Sequence, residues 1–321
     1  MAPDYILPEG EPGELRPQVI SVTPTRYPQI AEAVLRSGAV LGPPGAADGL
    51  IWTDPDDTES LASILIGSPA RWVQLPYAGV DRVAREGLLD HERTWTSAKG
   101  IYGPAVAEHA LALILAASRG LPQYARRHSW AEPGEVPASR LAGRKVLILG
   151  TGGIGRALSR LLEPHEPIIL AVNRSGTPMA GASSTTPVAE LPGLIGQAHF
   201  VVIAAPLTEE TEGMFDAGLL GAMSRQAWLI NVARGKLVDT AALVEALAGR
   251  RIAGAALDVT DPEPLPDDHP LWAMDNVLIT PHVANTWDMA LMDLAARVER
   301  NVIAFIHGQP LEGVVDVDLA Y

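Results

Sequence analysis

Three short segments place acid–base and anion-binding side chains among apolar neighbours: Asn231-Val-Ala-Arg234-Gly, Asp258-Val-Thr-Asp-Pro-Glu263 and Thr280-Pro-His282-Val-Ala284-Asn. A histidine can give or take a proton near neutrality. A carboxylate beside it favours the charged imidazole. An arginine offers a planar fork that grips a carboxylate and polarises a neighbouring carbonyl oxygen. Arg234, Glu263 and His282 are therefore candidate catalytic residues for proton transfer on a carboxylate-bearing substrate. Each segment follows a short apolar run that reads as a strand, and ligands of open α/β sheets bind at strand ends.

A fourth segment supplies a phosphate cradle. Lys145-Val-Leu-Ile-Leu-Gly150-Thr-Gly152-Gly153-Ile154-Gly155 reads as a strand, a glycine turn and a helix start. In such a turn Gly150 permits the tight bend. Gly152 lets the backbone approach a pyrophosphate, and Gly155 lets the helix lie close to the strand. The helix N-terminus meets the phosphate charge. An acid after the next strand would bind the ribose 2′-hydroxyl of NAD. The sequence has Asn173-Arg174-Ser175 instead. Loss of the carboxylate removes repulsion against a 2′-phosphate, and Arg174 and Ser175 add a cation and a hydroxyl. The preferred coenzyme is therefore expected to be NADP(H), with NAD(H) as the alternative.

The elements that must position these groups follow from periodicity. Strands are expected at Val19 to Val22, Gly49 to Trp52 and Trp72 to Leu75, with helices over Pro28 to Ser37 and Thr58 to Leu65 between them. A helix over Val106 to Ser118 ends at Gly120 and Pro122. A second series starts at Arg144. Its strands are expected at Lys145 to Leu149, Ile168 to Val172, His199 to Ala204, Ala227 to Asn231, Gly254 to Leu257 and Val277 to Ile279. Thr177 to Thr186 reads as a loop, and a long helix runs from Thr286 to Phe305. Strands alternating with helices predict parallel sheets.

Bulk properties narrow the function. The chain has 321 residues, enough for two domains. Lys plus Arg number 24 and Asp plus Glu 38, a net charge of −14, which argues against nucleic acid or an anionic membrane as partner. Cysteine is absent, so thiolate chemistry, disulfides and zinc–cysteine sites are excluded. The histidines outside His282 show no paired metal-ligand spacing, so no metal site is expected. The acids Asp54, Asp56 and Asp57 read as a polar loop capping the next helix. The N-terminal residues from Met1 to Glu11 lack a basic and apolar leader. No apolar run is long enough to span a bilayer, and a cytoplasmic enzyme is expected.

Taken together, these segments resemble the D-isomer-specific 2-hydroxyacid dehydrogenases. Leu75-Pro-Tyr-Ala78-Gly79-Val-Asp81, Val106-Ala-Glu-His109 and Ala205-Pro206-Leu-Thr208 extend the resemblance over nearly the whole chain. It implies two Rossmann-like domains of parallel sheet, a flavodoxin-like substrate domain and a dinucleotide-binding domain, with a cleft between them. Residues 1–102 and 286–321 would form the first and residues 103–285 the second. Arg234, Glu263 and His282 would be the catalytic trio. Asp258 would hold the nicotinamide carboxamide, and Gly153, Ile154, Ala205, Pro206, Val232, His282 and Ala284 would complete the coenzyme site. Backbone N–H groups at Ala78 and Gly79 would meet the substrate carboxylate.

Trp52, Pro270-Leu271-Trp272 and Val317-Asp-Leu-Ala-Tyr321 look like the NADPH-dependent glyoxylate/hydroxypyruvate reductase branch. A tryptophan wall at Trp52 would favour small 2-oxoacids, and Trp287 would line the pocket or pack at the hinge. The absence of arginine around Leu50 to Asp54 disfavours a phosphorylated hydroxyacid. The helix from Val106 resembles the family's dimer-forming region, so a homodimer is expected. Alternatives are an NAD(H) enzyme for bulkier 2-oxoacids, a formate- or phosphite-type dehydrogenase, and a dinucleotide-binding regulator without turnover. Glu263, where the formate enzymes carry glutamine, argues against formate.

Overall fold

The computed structural model describes residues 16–319. The leader assessment at Met1 to Glu11 and the last two residues of the Val317–Tyr321 stretch lie outside them. The described residues divide into two compact units, residues 16–101 with 287–319 and residues 102–286.

The first unit contains β1 (Val19–Thr23), α1 (Pro28–Arg36), β2 (Val40–Leu41), β3 (Gly49–Trp52), α2 (Thr58–Gly67), β4 (Trp72–Gln74), α3 (Asp81–Arg85) and β5 (Thr94–Thr96). Its sheet has the order β2-β1-β3-β4-β5, all parallel, which is the flavodoxin-like order. Asp57 caps α2 by accepting the Ser60 N–H at 2.9 Å, and Asp54 accepts the N–H groups of Asp56 and Asp57. The acidic loop thus serves the helix start.

The second unit contains α4 (Gly103–Ser118), α5 (Leu121–Ala125), β6 (Lys145–Leu149), α6 (Gly153–Leu162), β7 (Ile168–Asn173), β8 (Ser184–Pro187), α7 (Leu191–Leu194), β9 (Phe200–Ile203), α8 (Ala217–Ala222), β10 (Trp228–Asn231), α9 (Thr240–Ala248), β11 (Gly254–Leu257) and β12 (Val277–Ile279). Its seven parallel strands run β12-β11-β10-β9-β6-β7-β8. The chain direction across the sheet reverses between β6 and β9, the switch point at which doubly wound folds bind dinucleotides. Helices cover both faces. Val146 and Ile148 of β6 pack into one apolar cluster, Leu147 and Leu149 into another. Burial on both faces explains why the strands are continuous apolar runs. The chain then returns to the first unit through α10 (Trp287–Ile306), where Arg36 of α1 pairs with Glu299 of α10 at 2.8 Å.

The expected loop at Thr177 to Thr186 ends instead in β8, paired with β7 through Leu170–Ser184 to Asn173–Pro187. The strand is polar because it is the sheet edge, where threonines suit the pleat and Pro187 needs no outward partner.

Candidate active site

The glycine turn is built by packing constraints as well as by its ligand chemistry. Gly150 has φ +103°, and a Cβ there would sit 2.4 Å from the Ala204 carbonyl oxygen. A Cβ on Gly155 would sit 2.1 Å from the Gly150 carbonyl oxygen. Both positions therefore exclude any side chain. Gly152 differs, because its Cβ direction meets open space. It precedes α6, whose first turn has no side-chain cap and no acid. An uncapped helix start beside open space fits a pyrophosphate, whose oxygens would accept the unused N–H groups.

At the end of β7, the Asn173 side chain organises the turn that follows. Its Oδ1 accepts the Gly176 N–H at 2.6 Å and the Ser175 N–H at 3.2 Å. Its Nδ2 donates to the Thr177 carbonyl at 2.8 Å and the Thr151 hydroxyl at 3.1 Å. Asn173 is thus committed to shaping the loop. Arg174 is exposed, and among the described residues its guanidinium has no ion pair or hydrogen bond. The Ser175 and Thr177 hydroxyls lie 2.7 Å apart beside it.

The acid–base pair forms from the loops after β11 and β12. His282 Nδ1 lies 2.7 Å from Glu263 Oε1, with both side chains about half exposed. The hydrogen bond that His282 donates to Glu263 raises the His282 pKa above the ordinary imidazole value, and the carboxylate charge adds to this. Burial and the Arg234 charge oppose it. Burial pushes the Glu263 carboxyl up, but the His282 bond and charge, with the Thr260 N–H and Arg234, outweigh it and hold the pKa low. Because a carboxylate only accepts, Nδ1 carries the proton of this bond, which leaves Nε2 on the other side of the ring from Glu263.

His282 adopts φ +53°, a left-handed backbone rare outside glycine. Asp258 fixes it with three successive bonds. Its carbonyl accepts the His282 N–H at 2.8 Å. Its carboxylate accepts the N–H of Val283 on Oδ1 and of Ala284 on Oδ2, each at 3.0 Å. Thr280 Oγ1 donates to Oδ1 at 2.6 Å. Asp258 is buried, and burial pushes its pKa up. The bonds from His109, Thr280, Val283 and Ala284 together hold it down, so the carboxylate stays charged. Both Asp258 oxygens are therefore engaged within the chain, a use that the expectation of a carboxamide partner did not contain.

Arg234 follows β10. Asn231 accepts the Ala233 N–H at 3.1 Å and donates to the Arg234 carbonyl at 2.9 Å, which shapes the turn. Arg234 Nη1 donates to the Ala233 carbonyl at 2.8 Å. A Cβ on Gly235 would sit 1.9 Å from the Thr260 carbonyl oxygen, so the Arg234 turn rests directly on the loop that leads to Glu263. Val232 is buried under this turn, and Ala205 and Pro206 follow β9. The glycine turn, the Asn173 loop, Arg234, Asp258, Glu263 and His282 thus all stand at carboxyl ends of strands in one sheet. Sequence reading missed Gly235 and the contact of His109 with Asp258. Glycine after Arg234 was the only local signal for the first, and nothing local signals the second.

The residues expected to meet substrate in the other unit fare differently. Ala78 is exposed and Gly79 half-buried, in an irregular segment after β4. Trp52 has no exposed surface and packs with Leu50, Leu61 and Trp95 in an apolar cluster. That corrects the expectation of a tryptophan wall: the last residue of a strand buried on both faces has its ring taken by the core. Trp287 packs on Tyr27, ring centroids 5.0 Å apart.

No described helix is long and apolar enough to cross a membrane. A profile of the D-isomer specific 2-hydroxyacid dehydrogenase NAD binding domain matches residues 111–284. An uncharacterised protein of Corynebacterium melassecola from the proB 3′ region is 40% identical over 78% of this chain and 84% of its own. Glyoxylate reductase of Pyrococcus furiosus is 34% identical over 72% of this chain and 69% of its own. A structure of NADPH-dependent glyoxylate/hydroxypyruvate reductase from Sinorhizobium meliloti, in complex with NADP and sulfate, superposes with TM-score 0.78 at 27% identity. It covers 95% of this chain and 100% of that one. With the sheet order, the glycine turn and these relatives in agreement, the chain belongs to the D-isomer-specific 2-hydroxyacid dehydrogenases, oxidoreductases that carry a nicotinamide-binding domain.

Proposed function

We propose that this protein reduces a small 2-oxoacid of the glyoxylate or hydroxypyruvate type to the D-2-hydroxyacid, with NADPH as preferred coenzyme. The observation that carries the reading is the His282–Glu263 pair at 2.7 Å at the same carboxyl end of the sheet as the uncapped glycine turn. The nicotinamide would supply the hydride to the carbonyl carbon. The protein's share is charge, position and one proton. Charged His282 holds Nδ1–H against Glu263 and delivers the Nε2 proton to the oxygen that becomes the hydroxyl. Neutral His282 keeps the Nδ1 proton and accepts at Nε2 in the reverse direction. Arg234 binds the carboxylate and draws charge onto the keto oxygen.

The glycine turn from Gly150 to Gly155 would hold the pyrophosphate, with Ala205, Pro206, Val232, Asp258 and Ala284 along the rest of the coenzyme. Exposed Arg174, presented by the Asn173 turn, supports a 2′-phosphate and hence NADPH. With Trp52 in the core, the small-substrate reading rests on the glyoxylate reductases among the relatives. Ala78 and Gly79 as carboxylate contacts, the homodimer and a cytoplasmic location belong to the same proposal.

Initial rates with NADPH and NADH against glyoxylate, hydroxypyruvate, pyruvate and a branched 2-oxoacid test it, with formate and phosphite assayed in the oxidative direction. The highest kcat/KM is expected for glyoxylate or hydroxypyruvate with NADPH. Absence of turnover with every 2-oxoacid would overturn the enzymatic reading. Preference for the branched acid with NADH would overturn the narrower one.

A further inference from the structure

His109, which the reaction scheme leaves without a task, lies on α4 with its side chain 20% exposed. Its Nε2 is 3.0 Å from Thr280 Oγ1 and 3.3 Å from Asp258 Oδ1. The proton positions follow from donor counting. An ionised Asp258 only accepts. Thr280 has one hydroxyl proton, and the 2.6 Å bond commits it to Asp258 Oδ1. Toward His109 both neighbours are therefore acceptors, so Nε2 carries a proton and shares it between them. The chain His109 Nε2–H, Thr280 Oγ1–H and Asp258 Oδ1 orients a buried carboxylate whose two oxygens also hold the N–H groups of Val283 and Ala284. Those two bonds, with the Asp258 carbonyl, fix the left-handed backbone of His282.

We propose that His109 is a positioning residue that acts through Thr280 and Asp258 to hold the His282 imidazole against Glu263. This rests on His282 being the proton donor. A buried carboxylate with one donor removed turns toward its remaining partners, and the Val283 and Ala284 bonds shift with it. His282 then loses its fixed distance to Glu263. The charged groups that face His282 are Glu263, Arg234 and Asp258, and the first of these gives the largest effect. His109 thus influences proton delivery without touching substrate.

The test compares His109→Gln, which keeps an N–H donor, with His109→Phe, which keeps the ring and loses the donor. Thr280→Val breaks the same chain at its second link while keeping the shape. Two quantities are read: kcat and KM for glyoxylate, and the titration of the His282 ring nitrogens by NMR in the coenzyme-free protein. His109→Phe and Thr280→Val should each lose about tenfold in kcat with KM little changed, as expected for a sub-ångström displacement of the proton donor. Their His282 titration should move to lower pH than in the wild type. His109→Gln should retain most of both. A wild-type His282 titration in Thr280→Val, or equal damage by the glutamine and phenylalanine variants, would overturn the proposal. The NMR readout needs no substrate, so it stands or falls separately from the substrate assignment. Should His109→Phe fail to fold, Thr280→Val and His109→Gln still decide it.

Discussion

Gly235→Ala is the sharpest probe of how the site is assembled. A methyl group there would lie 1.9 Å from the Thr260 oxygen, 2.0 Å from its carbonyl carbon and 2.6 Å from the Asp261 nitrogen. All three are backbone atoms, so no rotamer change relieves the overlap. An ordinary contact begins at 3.4 Å, so the Arg234 turn and the Thr260–Asp261 peptide must separate by 3.4 − 1.9 = 1.5 Å. That peptide leads directly to Glu263. Overpacking of this kind costs about 1–3 kcal/mol in stability. A misplacement of about 1 Å costs on the order of a hundredfold in rate. The variant should therefore fold with reduced stability and lose at least about tenfold in kcat/KM for glyoxylate with NADPH, measured as coenzyme oxidation. Gly221→Ala, at an exposed position of α8 with open space around it, is the control and should match or slightly exceed wild-type stability. A folded Gly235→Ala with wild-type kcat/KM would refute the claim that this contact sets the spacing of Arg234 and Glu263.

Three other tests address single groups. Glu263→Gln keeps the shape and removes the charge that raises the His282 pKa, so the fall of reductive kcat/KM with rising pH should move to lower pH, while acidic-side activity is relatively preserved; an unmoved profile would break the coupling. Arg174→Ala should lower kcat/KM with NADPH by about tenfold or more and leave NADH nearly unchanged, given roughly 1.5–3 kcal/mol for a charge-assisted bond; equal losses with both coenzymes would dissociate Arg174 from the 2′-phosphate. Arg234→Lys keeps a cation without the fork and should still lose at least about tenfold in kcat/KM, so near-normal kinetics would contradict carboxylate binding by Arg234.

What could be read from the chain alone was what local sequence decides. The glycine turn is contiguous: a strand, three spaced glycines and a helix start are specified within a dozen or so neighbours, and their steric reasons are local. Candidate status for Arg234, Asp258, Glu263 and His282 was legible for a related reason. Each follows an apolar run, and strand ends are where a parallel sheet exposes polar groups. The two sheets themselves were legible in outline because strands buried on both faces are continuous apolar runs. Polar edge strand β8 was not, because Ser184-Thr-Thr-Pro187 carries no such run and its identity comes from pairing with β7.

Tertiary structure decided the rest. Continuous apolar strands do not say which side chain faces the core, so Trp52 read as a pocket wall and proved to be core. Asn173 read as a residue facing the coenzyme, yet its amide closes the next turn, a choice made by the path of the chain toward Thr177. His282 meets Glu263 across 19 residues, and His109 meets Thr280 across 171. No periodicity encodes such pairs. The first exists because β11 and β12 pair side by side and bring their following loops together, and the second because α4 packs against β10 and β11, which carries an imidazole from the start of the second unit to Thr280 and Asp258.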